Sequence, residues 1–308
     1  MASSTQEVGG ANDAWSGASG TTSTRLRRNL MTFARRKPIG AFSAVIICAM
    51  SVIALVAVLD LVKAATGYDF DQQVLRDRLQ MPTAGHWLGT DNLGRDLLTR
   101  VLYGARVSIT IGFSAVLISE TLGLTVGMTS GFLGGRFDTL VQRVVDVWQA
   151  MPGLLMLIFL IAVFGRSIPI MVGVIGVLGA ARASRLMRGA TIAVRNEQYI
   201  DAARALGAGN ARIILRHILP NIFHVLLISI SVSIGSAILV ESTLSFLGLG
   251  LPPPYPTWGR MLNDSRGFLS YPWLAVVPGI AITLTVFAFN MLGDALRDVL
   301  DPRLRGSR

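Results

Sequence analysis

The chain has one cysteine, Cys48, in 308 residues, which excludes an internal disulfide framework. Lysine is nearly absent. Only Lys37 and Lys63 occur and neither follows a glycine, so no G-x-x-x-x-G-K-[ST] phosphate loop exists. H-E-x-x-H and G-x-S-x-G are missing too, which removes the zinc-protease and serine-hydrolase signatures. The three histidines, His86, His217 and His224, have no cysteine nearby and show no metal-site spacing. Charge is scarce at 15%, against about 25% in an average proteome. No catalytic residue and no metal ligand is assigned, and the chain is read as a non-enzyme built for lipid.

What is abundant is apolar sequence. Hydrophobic residues make up 52% and mean hydropathy is +0.55. A net charge of +10 is the size expected of a nucleic-acid binder. Here the basic residues flank apolar runs and are not gathered on one soluble face, so nucleic acid is excluded as a partner.

Six runs are long enough to cross a bilayer: 39–59, 107–133, 144–164, 167–186, 222–246 and 271–292. Only the first part of the fourth run is free of charge, so its helix is expected to continue through Arg182 and Arg185. The first run starts too late and runs too long for a secretory signal. Residues 1–24 are rich in Ser, Gly, Ala and Thr without apolar periodicity, and the segment to about residue 30 reads as a disordered tail.

Basic residues orient the spans. With the N-terminus inside, inner segments hold 19 lysines and arginines and outer segments 9. Six of those nine sit between Lys63 and Arg106, accompanied by aspartates. This bias predicts that both termini are cytoplasmic. The expected organisation is a tail at 1–30, a first helix and outer segment at 31–103, a core at 104–294, and a cytoplasmic C-terminal tail at 295–308. Within the core, the loop at 195–221 is cytoplasmic. Gly123, Gly127 and Gly131 recur every fourth residue on the second span, and Gly173, Gly176 and Gly179 crowd the fourth. Small residues at that spacing let helix backbones approach closely, either inside one subunit or at a seam between subunits.

The loop between the fourth and fifth spans is ordered by its own sequence. Ala202 to Leu206 are good helix formers; Gly207 falls where a helix end wants positive φ. A second short helix is expected from Ala211 to Leu219, where Pro220 stops it. Two-turn helices are unstable alone, so packing or a partner must order them. The residues leave two readings open: a docking knob carrying one acidic charge, or an amphipathic turn held to the membrane surface by Arg212 and Arg216.

Asp201-Ala202-Ala203-Arg204, with Gly207 six residues after Asp201 and then Leu219-Pro220, resembles the EAA loop of type-I ABC importer permeases. Asp201 replaces the motif's glutamate, and His217 occupies its isoleucine slot. His86-Trp-Leu-Gly-Thr-Asp-Asn-Leu-Gly-Arg-Asp96 with Tyr103-Gly-Ala-Arg106 is similar to the stretch before the second span in C-type dipeptide and oligopeptide permeases. Glu241 to Gly250 and Leu292 to Pro302 resemble the same subfamily. The resemblance implies an all-α membrane bundle of six transmembrane helices, a second homologous permease subunit and two cytoplasmic ATPases. It also implies an extracellular solute-binding protein and a peptide substrate, across a bacterial cytoplasmic membrane. ATP and Mg would then sit on the ATPases, with no cofactor in this chain. Asp201, Ala202, Ala203, Arg204, Gly207, Leu219 and Pro220 would form the ATPase-coupling surface. Cargo other than peptides, such as nickel chelates or opines, fits the same resemblance. A secondary transporter would want ion-coupling carboxylates and an inverted repeat, and no clear repeat is present.

Two carboxylates lie within spans, Glu120 and Glu241. Each either lines or gates a path, or holds helices together through a partner, with Arg106 or Arg260 the candidates for Glu241. On the outer side, Asp91 and Arg95 read first as an ion pair and second as a binding-protein contact. Trp258, after the Pro252-Pro-Pro254 segment, is either such a contact or an interface anchor.

Overall fold

A computed structural model describes residues 38–300; the predicted tail at 1–30 and residues 301–308 lie outside the described residues. All regular elements among these are helical, and the sole bridge is the isolated antiparallel pair Thr90 and Asp96. Apolar α1 (Pro38–Val58) leads through short α2 (Val62–Thr66) and a 3-10 turn at Leu75–Asp77 to α3 (Leu97–Leu133). At 37 residues, α3 is about 55 Å long, well beyond a hydrocarbon core of about 30 Å. Asp96 caps it, accepting from the Thr99 amide at 2.8 Å and facing His86 Nδ1 at 2.9 Å.

The third expected span is not one straight helix. It divides into α4 (Gly135–Ala150) and α5 (Gly153–Phe164), bent by 85° at Met151-Pro152. Met151, before the proline, takes an extended ψ of 136°, because the proline ring disfavours helical geometry there. Among the described residues, five helices are long and apolar enough to cross a membrane, or six if the bent pair is one span. The fourth run becomes α6 (Ile168–Arg195), which does continue through Arg182 and Arg185.

Beyond α6 come α7 (Gln198–Ala205), α8 (Asn210–Ile213), a π turn at Ile214–Ile218 and α9 (Leu219–Phe246). Pro220 was expected to end a helix, and it does not: Asn210–Phe246 forms one continuous span. The π turn explains this. The Leu219 amide reaches back to the Ile214 carbonyl, so the helix is widened where the Pro220 ring would otherwise meet the preceding turn. Asn221 Nδ2 donates to the His217 carbonyl at 2.6 Å. The chain finishes with α10 (Trp258–Ser265) and α11 (Trp273–Leu300).

Alternation of the helices gives the bundle two ends. The connection end carries residues 196–218; the cap end carries α2, the loop before α3, and α10. The tightest seam joins α3 to α6. A Cβ on Gly123 would lie 2.3 Å from the Ala183 Cβ, and one on Gly127 2.2 Å from the Ser184 carbonyl oxygen. Gly176 and Gly179 likewise admit the Ala115 carbonyl and Ser119. These glycines serve packing within one chain. Gly173 does not belong with them, since it has open space beside it.

Candidate functional site

Two places gather the residues that sequence pointed to. The first is the connection end. Ile200 of α7, Ile213 and Ile218 beyond it, and Ile222 of α9 are fully buried against Met128 and Phe132 of α3. These apolar bolts fix a segment whose other face is bare. On that face Asp201 has a side chain 71% exposed, paired with Arg204 at 3.0 Å one turn on. Arg204 also lies over the Phe132 ring at 5.8 Å. Ala202 and Pro220 are exposed and Ala203 and Leu219 half-buried. Gly207 has φ +81° with nothing within 4 Å of a built Cβ. Backbone conformation, not space, requires glycine there.

Sequence reasoning overlooked Leu206. It is 89% exposed, the most exposed large hydrophobic residue of the described chain. The signal was available: Leu206 follows buried Ile200 by six residues, about 120° round a helix, so the two cannot share a face.

The second place is a cavity of about 1230 Å³ bounded by α3, the α4–α5 elbow, α6, α9 and α11. Its wall is mostly aliphatic, with Glu120, Ser229 and Ser233 at one level and Arg182, His224 and Arg297 among its other polar residues. Glu120 Oε1 accepts from Ser229 Oγ at 2.8 Å and Ser233 Oγ at 2.9 Å. Ser229 and Ser233 are four residues apart on α9, hence on one helix face, a spacing the sequence displayed.

Glu241 is placed differently. It is wholly buried outside that cavity, accepting from Ser245 Oγ at 2.7 Å and Ser108 Oγ at 3.1 Å. Neither expected arginine reaches it. Arg106 donates to the Ala57 carbonyl and Arg260 to the Leu251 carbonyl. Hydroxyls from α3 and α9 satisfy the carboxyl instead, tying those helices together.

At the cap end Asp91 and Arg95 form their ion pair, with Nε to Oδ2 at 2.6 Å. Both are buried, and Arg100 Nε stands 3.5 Å from the same carboxylate. Trp258 is also wholly buried, donating from Nε1 to the Val101 carbonyl at 3.0 Å over Gly104. None of the three offers an exposed face to a binding protein, and Trp258 is no interface anchor. Burial of a ring beside a glycine, and of a carboxylate between two arginines, is not visible in linear order. Exposed large apolar residues at this end include Trp87, Leu75, Met81 and Leu269.

Comparison with known proteins decides the family. Residues 123–306 match the model described as binding-protein-dependent transport system inner membrane component. The chain belongs to that family. Its relatives include the dipeptide transport system permease protein DppC of Alkalihalophilus pseudofirmus, 44% identical over 74% of this chain and 76% of the relative. The glutathione transport system permease protein GsiD of Pectobacterium atrosepticum is 41% identical, covering 77% and 80%. The GsiD protein of Escherichia coli O6:K15:H31 is 40% identical, covering 84% and 86%. As a family member the chain is an inner membrane component and a permease, and the matched segment contains the α6–α9 connection and most of the cavity wall.

Proposed function

We propose that this chain is one of two homologous permease subunits of an ABC importer that carries dipeptides or short oligopeptides inward. Both termini and the connection end face the cytoplasm, and two partner ATPases, loaded with ATP and Mg, dock on residues 198–220. A solute-binding protein delivers cargo at the cap end. Peptide cargo is favoured over nickel chelates or opines by the relatives named for dipeptide and glutathione transport.

The observation that carries the reading is the construction of the connection end. Four buried isoleucines hold a segment rigidly to α3 and α9 while Asp201 and Leu206 stand exposed. A rigidly anchored, exposed apolar residue beside a charge suits a protein groove. Movement of such a groove is passed to α9 without being absorbed, because α8, the π turn and α9 are continuous. The bundle then alternates between inward-open and outward-open forms.

Asp201→Lys should abolish peptide uptake in the reconstituted system and weaken ATPase co-purification, while membrane insertion stays normal. Undiminished uptake by this variant would sink the coupling role. Uptake that survives ATP depletion but collapses with an uncoupler would point instead to a secondary transporter.

A further inference from the structure

The Glu120 carboxylate is only half satisfied. The serines occupy Oε1, whereas Oε2 is buried with no hydrogen-bond partner. Glu120 as a whole is 3% exposed, and no ion pair involves it among the described residues. A carboxylate left this way inside a span is costly, and each unsatisfied buried group calls for a reason. Glu241 shows what a purely structural solution looks like here, with hydroxyls on both of its oxygens.

Glu120 also belongs to the wall of the large cavity. A mostly aliphatic chamber with a few converging polar groups is the usual form of a small-molecule site. The polar groups are segregated by sign. His224 lies five residues before Ser229 on α9, about 7.5 Å along the axis, and Arg297 stands at the end of α11 on the same side. Negative charge therefore sits deeper in the chamber, and positive charge towards the connection end. Resident metal does not fit. A hard cation takes six or more oxygen ligands, and no cluster of three His, Cys, Asp or Glu exists among the described residues.

We propose that Glu120 is a binding site for the terminal ammonium group of a peptide in transit, with Ser229 and Ser233 positioning the carboxylate. The ammonium brings the positive charge and the donors that Oε2 lacks. Arg182 and Arg297 line the chamber at its basic end, where the peptide's carboxylate finds opposite charge. This inference rests on the peptide-importer reading above. Affinity should be low, since a transport site must release what it binds.

The test is equilibrium binding of radiolabelled alanyl-alanine to the complete permease–ATPase complex in nanodiscs, without the binding protein, beside N-acetyl-alanyl-alanine. Wild type should bind the free dipeptide at least tenfold better than the acetylated one, the scale of a charge-assisted hydrogen bond. Glu120→Gln keeps an oxygen for both serines but removes the charge, and should erase that preference. Ser229→Ala with Ser233→Ala should weaken it while leaving Glu120 in place. Equal binding of the two peptides, absence of binding to wild type, or an unchanged preference in Glu120→Gln overturns the proposal. Uptake and ATPase activity of the same complex in proteoliposomes, with the binding protein added, separate this failure from that of the importer reading. A wild-type complex that imports peptide, yet shows no Glu120-dependent preference, sinks only the site.

Discussion

The two ends of the bundle follow opposite rules. At the cap end a cluster of charges is enclosed and several large apolar residues are outside, Trp258 excepted: Asp91, Arg95 and Arg100 are buried together, while Trp87 is 72% exposed. At the connection end isoleucines are inside, and the exposed face carries Asp201, Arg204 and Leu206. The cap end fixes a long loop by electrostatics, because a loop that is not helical must find partners for every buried polar group. The connection end is already helical, so its backbone is satisfied internally and apolar bolts suffice. A charged residue therefore means structure at one end and contact at the other.

The cap-end half of this contrast predicts the largest effect. Asp91 accepts from the Leu93 amide at 2.8 Å and the Arg95 amide at 3.0 Å as well as pairing with the arginines. Asp91→Ala leaves two guanidiniums buried beside each other with less compensation. Breaking a buried pair in this way costs about 3–5 kcal/mol. The expected result is a sharp fall in the yield and Tm of the purified protein, with no separate transport phenotype in whatever folds. A variant that is fully stable yet transport-dead would reverse the assignment and return Asp91 to the binding-protein surface.

A loss of similar size is expected at one of the two tryptophans of the same end, and none at the other. Trp258→Ala empties a fully enclosed site and should cost about 3–5 kcal/mol by cavity formation alone, the Val101 carbonyl losing its donor in addition. Trp87→Ala should leave Tm unchanged, since that ring faces outward. If uptake from the loaded binding protein nevertheless falls with Trp87→Ala, the exposed apolar residues of the cap end are its docking surface. Thermal unfolding and binding-protein titration on both variants check the pair.

How much of this was legible in the sequence depends on the kind of interaction. Spans are composition written over some 20 residues, so five of six runs became single continuous helices and the sixth failed at one proline, Pro152. The α3–α6 seam was readable from glycine spacing, because a fixed interval on a helix specifies a face. Gly173 shows the limit, since interval alone does not say whether a neighbour is there. The break between the two connection helices was legible from Gly207, whose φ is +81°, whereas the coupling role given to Asp201 rests on resemblance. Ser108, Ser229 and Ser233 were not assigned to the two glutamates, because those pairings join residues more than 100 positions apart across α3 and α9; Ser245, only four residues after Glu241, was within reach of sequence reasoning. Pro220 misled because local propensity excludes the α register but not a π turn.

The connection end offers the finest test of the contrast, through two apolar residues six positions apart. Ile200 is fully buried in the cluster with Met128 and Phe132. Ile200→Ala should therefore cost about 2–4 kcal/mol of stability and loosen the segment. Leu206→Ser removes a side chain that touches little of its own chain, so Tm of the isolated permease should stay the same. Its effect should appear on assembly, as a lower affinity for the ATPases and a smaller transport rate per ATP hydrolysed. Removing an exposed anchor of this size from a protein interface typically weakens it by about 1–2 kcal/mol, five- to thirtyfold in affinity. Asp201 sharpens the comparison further, because its carboxylate is already engaged by Arg204. A pair that is internally neutralised contributes direction more than attraction, so lengthening the acid in Asp201→Glu should change ATPase affinity less than Leu206→Ser does. Pull-down of the ATPases across a salt series separates the two contributions: the Leu206 effect is independent of salt, whereas the Asp201 effect fades as screening increases.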